Sequence, residues 1–346
     1  MISNNGKISE SVAAVEAELA QIWAPPDPES AERAKVRAST MNLVVVSIGA
    51  ELEALRESTD DLNQTHAGRT FLCTVDARLA PWDLETSVAA VCRDVGGAAP
   101  ICADRIEIAL GPMVAARAAS VVSALTLSEV PTILEVGKGA PAQVVDPLAR
   151  TSDRVVVDTA HTSVTRVAEI ARSTRAPLAD RAFVRGFTWR ELCARFFDDA
   201  PRMAFAIRSV TLERTAGGRD PVPLVLGWLG SRLGWKFESQ SRALDRAGHP
   251  VEITLRVDDR VEIGSGELTA VRMTTEREGE RIDLVCERPT AARVLRWIMR
   301  GPTVVEHEHP LGFRDETWVM IKALDSTEGD SVYREAVLAA AAWVSA

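Results

Sequence analysis

His307 and His309 are the residues of this 346-residue chain best spaced to hold a metal ion. They lie two apart in VVEHEHPLG, and alternate side chains of an extended segment project to one side, so a single ion could meet both imidazoles. Glu306 and Glu308 would face the other way, and a third ligand would have to come from Asp315 or Glu316 through a loop that folds back. A solvated polar strand end has the same pattern and needs no metal. Lys138, between Gly137 and Gly139, is the second candidate. It follows the apolar run PTILEV, and ligands of open α/β sheets lie beyond the carboxyl ends of strands. Glycines in that place also simply end a strand.

Other reaction chemistry finds no support in residue spacing. After LVVVSI the chain reads GAELEAL, with one glycine where the dinucleotide fingerprint requires three. There is no GxxxxGK[ST] loop and no GxSxG nucleophile turn. His66, His161 and His249 are isolated, and Glu213, Asp283 and Glu287 fall where strands turn a wet face outward. Five cysteines, at 73, 92, 102, 193 and 286, contain no CxxC pair. They read as reduced, mostly buried thiols. The expectation is a chain with no catalytic set, no cofactor and no resident metal, and therefore not an enzyme.

The elements that would position these residues follow from apolar periodicity. A helix over Ser9 to Trp23 ends at the proline-rich APPDPES, and a short helical stretch spans Ala31 to Ala38. LVVVSI, TFLCTVD, PTILEV and RVVVDTA are continuous apolar runs, as expected of parallel strands covered on both faces. Ala50 to Thr65 is an amphipathic helix, so a right-handed βαβ crossover is implied. TSVAAVC and ICADRIEI flank a Gly-Pro turn and predict an antiparallel hairpin at the sheet edge. Gly111 and Pro112 open a helix whose apolar face is Val114, Ala118, Val121, Val122 and Leu125, and Val164 to Ser173 is another. Further on, VEITLRVDD alternates, with Val251, Ile253, Leu255 and Val257 on one side, and ELTAVRMTTE and ERIDLVCE repeat the pattern. These predict an antiparallel meander with one wet face, closed by helices at Thr290 to Met299 and Ser331 to Ser345. The fold expected is α/β: a Rossmann-like three-layer domain with an antiparallel edge hairpin, then an α+β domain with an antiparallel sheet. The divisions are an N-terminal helical segment at 1–40, the Rossmann-like domain at 41–178 and the α+β domain at 179–346.

Between the two halves lies the densest aromatic stretch, Phe187 to Trp235, holding three of the eight tryptophans. Thr188 and Glu191 have capping-box spacing. Behind them Trp189, Leu192, Cys193, Phe196 and Phe197 mark one helical face. A second helix should begin near Pro221 or Pro223, carry Leu224, Trp228 and Leu229, and stop at about Gly234. Tryptophans beside leucine pack a core in the ordinary case. At the rim of a docking surface, Trp and Arg are also favoured anchors. Trp189, Arg190, Trp228, Arg232 and Trp235 are accordingly the candidate partner-interface residues.

TWRELCARFFD followed by LGWLGSRLGW resembles the bacterial glucose-6-phosphate dehydrogenase assembly protein (OpcA) family. The likeness extends, in order, through MNLVVVSI, FLCTVDARLAPWDLETSVAAVC, ICADRIEIALGPMVAARAASVVSALTLSEVPTILEV, DRVVVDTA and DSVYREAVLAAAAWV, and so covers most of the chain. It implies a non-catalytic factor that binds glucose-6-phosphate dehydrogenase and promotes its active oligomer or conformation in the oxidative pentose phosphate pathway. The alternative from the residues alone is a nucleotide or sugar-phosphate binding protein, or a metal-dependent enzyme, using the strand ends of the first domain.

Composition fits either. The chain is 46% hydrophobic with 49 acidic against 40 basic residues, net −9. An acidic chain without a basic block is ill-suited to nucleic acid. No apolar run approaches the roughly 20 residues that span a bilayer. The N-terminus lacks an apolar signal core, so a cytoplasmic location is expected.

Overall fold

The computed structural model describes residues 4–25, 35–94, 96, 99–198, 201–218, 220–260, 263–289, 293–312, 314–325 and 331–346. The chain divides into two compact units. One comprises residues 1–158, 172–179 and 320–329, and the other 159–171, 180–319 and 330–346.

The first unit is built on α1 (Asn4–Ile22), β1 (Val36–Arg37), β2 (Asn42–Ile48), α2 (Leu52–Asn63), β3 (Arg69–Val75), β4 (Leu84–Arg93), β5 (Ile101–Leu110), α3 (Ala118–Leu125), β6 (Thr132–Val136), α4 (Ala142–Thr151) and β7 (Arg154–Val157). α5 (Val164–Ser173) leads to β8 (Leu178–Asp180). The strand order is β1-β5-β3-β2-β6-β7-β8, with β4 paired antiparallel to β5. The pairings of β2 with β3 and β6, of β5 with β1 and β3, and of β6 with β7 are all parallel. This is a Rossmann-like sheet carrying the hairpin that the sequence predicts. After β2 the chain winds one way through β3 and β5, then crosses back to β6. Right-handed crossovers therefore put α2 on one face and α3 and α4 on the other. Double cover explains the unbroken runs, since Leu43, Val44, Val45, Val46, Phe71, Leu72 and Leu134 are all essentially inaccessible.

Three features of this unit depart from the sequence reading. The stretch from Ala31 to Ala38 lies in part outside the described residues, and Val36–Arg37 within it is a strand, not a helix. The helix after Gly111 opens with a 3-10 turn, Ala115–Arg117, so its α portion is only eight residues long. α4 was not anticipated, because Pro147 stands inside it and a helix-interior proline ordinarily argues against one.

A buried ion cluster holds the edge of this sheet. Asp104, 3% exposed, accepts from Arg69 Nε at 2.8 Å, from Trp23 Nε1 at 2.8 Å and from Arg37. Arg69 also donates to the Leu125 carbonyl oxygen at 2.5 Å. One carboxylate thus anchors the end of α1, β1 and β3, and its burial is tolerable only because the set is complete.

The second unit contains α6 (Arg181–Arg185), α7 (Phe187–Arg195), β9 (Ile207–Thr215), α8 (Val222–Leu233), β10 (Lys236–Ser239), β11 (Arg242–Leu244), β12 (Pro250–Asp258), β13 (Leu268–Arg277), β14 (Glu280–Glu287), β15 (Val294–Arg300), β16 (Val304–Pro310), the start of α9 (Glu316–Asp325) and α10 (Ser331–Val344). Its sheet runs β10-β11-β12-β9-β13-β14-β15-β16. Neighbours are antiparallel except β12 and β9, which are parallel, so the sheet is mostly antiparallel.

The predicted helix at Thr290 to Met299 is overturned. Thr290 lies outside the described residues, and Val294–Arg300 is β15, paired on one side to β14 and on the other to β16. Leu295, Ile298 and Met299 have helical spacing, but pairing on both edges decides the matter. Trp297 seals the strand into the core: its ring stacks on Phe196 with centroids 4.6 Å apart, and Nε1 donates to the Leu192 carbonyl oxygen at 3.0 Å. α8 and α10 pack so closely that a Cβ at Gly227 would meet the Ala336 carbonyl oxygen at 2.1 Å. α8 has Pro221 and Gly234 at its two ends, and Gly234 takes the left-handed conformation, φ 69°, that ends helices.

The other sheet face is wet, as predicted, and its charges form a ladder. Arg256, Glu213, Arg272, Glu287, Arg296 and Glu306 alternate in sign across six strands, with N···O separations of 3.7, 3.1, 2.8, 3.6 and 3.2 Å in turn. On the inner side, Val251 and Ile253 are buried, whereas Leu255 and Val257 are 46% and 58% exposed.

Candidate functional site

The crossover between β2 and β6 is where an open α/β sheet offers its ligand crevice, and a fold of this type implies a dinucleotide there. The residues present do not fit one. The turn after β2 is Ile48-Gly49-Ala50-Glu51, and Glu51 occupies the first turn of the 3-10 helix leading into α2. A carboxylate stands where a pyrophosphate would use the helix N-terminus. Asp76 lies on the same side, since a Cβ at Gly49 would come within 3.1 Å of its Oδ2. Lys138 is drawn into local pairing, with Nζ 2.8 Å from Glu51 Oε1, and Ser47 Oγ donates to the Lys138 carbonyl oxygen at 2.8 Å. Asp76 accepts from Arg78, whose hydrogen bonds hold its carboxyl down at about 2.

His307 and His309 sit on β16, the edge strand, opposite Trp297 and Leu295. They share a side as expected, with ring centroids 6.5 Å apart, and His307 packs against the Trp297 ring at 5.8 Å. Desolvation, with Arg195 and His307 nearby, lowers the His309 pKa. The residues considered for a third ligand are committed elsewhere. Asp315 accepts from the Trp318 N–H at 2.7 Å, and Glu316 accepts from Arg181 and Arg185. Among the described residues no group of three or more metal-ligating side chains assembles.

The five cysteines are not all reduced. Cys92 and Cys102 face one another across the β4–β5 hairpin, with Cα atoms 4.0 Å apart, and are joined in a disulfide. Direct cross-strand opposition brought them together, and a ten-residue spacing in sequence carries no such signal. Cys73, Cys193 and Cys286 are free and buried. Burial pushes the Cys73 thiol up to about 12, and the Cys193 contact together with burial raises that of Cys286. All three suit packing, not nucleophilic attack.

The aromatic helices form as predicted, with one change at the start. α7 begins at Phe187 with Gly186 as its cap residue, so there is no capping box. Thr188 Oγ1 instead accepts from Arg314 Nη2 at 3.0 Å, and Glu191 pairs with Arg195 one turn on. The five interface candidates are distributed, not gathered. Trp189 and Trp235 are each 9% exposed and belong to the core of the unit. Arg190 lies 3.4 Å from the Phe183 ring centroid and donates to the Phe183 carbonyl oxygen at 2.6 Å. Trp228 is half-buried against the same core. Arg232 pairs with Glu335 of α10.

Two concavities meet at Trp189. The first, of about 100 Å³, is lined by Ala182, Trp189, Asp220, Pro221, Val225 and Leu268, among others. The second, of about 320 Å³, shares Arg185, Trp189, Glu267 and Leu268 with it and adds Arg288, Arg293, Leu311 and Arg314. Sequence reading found Trp189 but none of these arginines, because they are scattered over more than a hundred positions. It also passed over Trp82, which is 46% exposed in the first unit.

The sheet order thus defines a Rossmann-like α/β unit combined with an α+β unit whose second sheet is mostly antiparallel. Two family models match it in succession: the glucose-6-phosphate dehydrogenase subunit N-terminal domain over residues 59–175, and the C-terminal domain of the same subunit over residues 176–337. The chain belongs to the glucose-6-phosphate dehydrogenase assembly protein (OpcA) family. No curated protein matches it in sequence. Among solved structures it is similar to a 3-ketoreductase, KijD10, from Actinomadura kijaniata, at 10% identity and TM-score 0.45, covering 88% of this chain and 95% of that one. It is also similar to a super-repressor mutant of Gal80p from Saccharomyces cerevisiae, at 11% identity and TM-score 0.44, covering 84% and 83%. No chemistry follows from likenesses of that size. Among the described residues, no helix is long and apolar enough to cross a membrane.

Proposed function

We propose that this chain is a non-catalytic factor that binds glucose-6-phosphate dehydrogenase and favours its active oligomer or conformation, acting in the cytoplasm within the oxidative pentose phosphate pathway. The observation that carries the reading is the consecutive pair of family matches over residues 59–337. The crossover crevice supports it, since Glu51 and Asp76 oppose the bound phosphates that a nicotinamide enzyme would need there. An activator of this kind shifts its partner only by its differential affinity for the partner's two states. A coupling of about 1–3 kcal/mol would change substrate affinity by roughly 5- to 150-fold.

For the contact we retain the five residues of the aromatic helices. Trp228 and Arg232, a turn apart on α8, offer accessible surface, while Trp189, Arg190 and Trp235 hold the helices beneath in place. The test is to mix the purified chain with glucose-6-phosphate dehydrogenase of the same organism and to follow activity and molecular mass together. Co-migration with a raised rate or a lowered KM is expected. Separate migration with unchanged kinetics would defeat the reading. Arg232→Gln, and separately Trp228→Phe, should weaken co-migration, and the melting temperature of each variant, measured in parallel, separates loss of the contact from loss of packing at Glu335 and the core.

A further inference from the structure

The larger cavity at Trp189 gathers positive charge within an acidic molecule. Arg185 arrives from α6, Arg288 from the end of β14, Arg293 from the approach to β15 and Arg314 from the approach to α9. Four arginines less two glutamates, Glu267 and Glu316, leave a net +2 in the lining, against −9 for the whole chain. Glu316 is moreover shared with a fifth arginine, since it accepts from Arg181 Nη2 at 2.8 Å as well as from Arg185 Nε at 3.1 Å. Burial works against that carboxylate, but Arg185 and Arg181 outweigh it and its pKa is lowered. Like charges brought together in a concavity repel, and an anion between them removes the penalty.

We propose that this cavity binds a small phosphate ester of sugar-phosphate size, with Arg288, Arg293 and Arg314 reaching the phosphate. Guanidinium presents a planar fork of donors that matches phosphate oxygens two at a time. Arg314 is held ready: Thr188 Oγ1 takes one of its N–H groups, and its guanidinium lies 4.8 Å from the Trp318 ring centroid. Arg288 and Arg293 keep contacts of their own as well, so occupancy adds to an existing arrangement. Trp189, Leu268 and Leu311 supply an apolar wall for the carbon portion. A volume of about 320 Å³ stands at the small end of ligand sites, where a phosphorylated monosaccharide fits and a dinucleotide does not. Binding is a property of the isolated chain and does not depend on the partner contact proposed above.

The test is calorimetric titration of the full chain, without the dehydrogenase, using glucose 6-phosphate, inorganic phosphate and glucose as probes. Saturable binding of the two phosphates and none of glucose is expected, weakening as salt rises. Arg288→Gln and Arg293→Gln should each weaken glucose 6-phosphate by about tenfold. Glu267→Gln should tighten it, because it removes a negative charge from the lining. Arg293 is exposed, so its variant should melt like the parent and keeps the test independent of folding. The proposal is overturned by the absence of saturable heat with either phosphate, by glucose binding equally well, or by unchanged affinity in both arginine variants.

Discussion

Two places in this molecule where a ligand could be sought meet opposite fates. At the crossover of the first sheet, Lys138 is neutralised by Glu51, and Asp76 by Arg78. In the cavity of the second unit, arginines outnumber the acids that line it. The first place lies where the fold usually puts a ligand and has spent its charges on itself. The second lies where no topological rule points and carries the surplus. The ligand site proposed above follows the net charge of a lining, not position in the fold.

That comparison can be broken at several points. The largest expected effect is at Asp104, a buried carboxylate that accepts from three side chains. Asp104→Ala leaves Arg69, Arg37 and the Trp23 N–H without their shared acceptor, and should cost about 3–5 kcal/mol in denaturant unfolding. A loss below about 1 kcal/mol would mean that complete internal pairing is not what secures this unit. Next is the disulfide of the same sheet edge. Closing the loop between Cys92 and Cys102, ten positions apart in sequence, is worth about 2–3 kcal/mol in the chain-entropy picture. Cys92→Ser with Cys102→Ser should lose up to that amount, and mass measurement after alkylation, with and without reductant, checks that the bond is present.

Smaller effects bear on the crossover itself. Lys138→Ala should change stability by less than about 1 kcal/mol, as exposed pairs do. NADP should leave the melting temperature of both the parent and this variant unmoved, and a saturable upward shift would return the crevice to candidacy. The smallest effect concerns β16. His309 has a lowered pKa in the folded chain, so the unfolded chain binds more protons through the ordinary histidine range. Stability should therefore fall slightly as pH drops through that range, toward and below the folded pKa. His309→Gln should flatten that part of the profile, measured by thermal melts from pH 7.5 down to 5.5, and a parallel slope in the two proteins would contradict the assignment.

Much of the architecture was legible because it is written in neighbouring residues. Unbroken runs such as LVVVSI announce strands covered on both faces, and alternation in VEITLRV announces one wet side. Pro221 and Gly234 bound α8 through backbone chemistry that each residue carries with it. Local order also misled: Leu295, Ile298 and Met299 have helical spacing in what is a strand, and Pro147 concealed α4.

What the sequence by itself determined, then, is the period of each segment and the chemistry of its ends, because both depend on contacts a few residues long. Only the tertiary structure decided that Cys92 would face Cys102, that β15 would be clasped between β14 and β16, and that Arg185, Arg288, Arg293 and Arg314 would share one cavity. Each of those juxtapositions depends on sheet register and chain return. Those are set by the packing of the whole unit, and no short window of residues contains them.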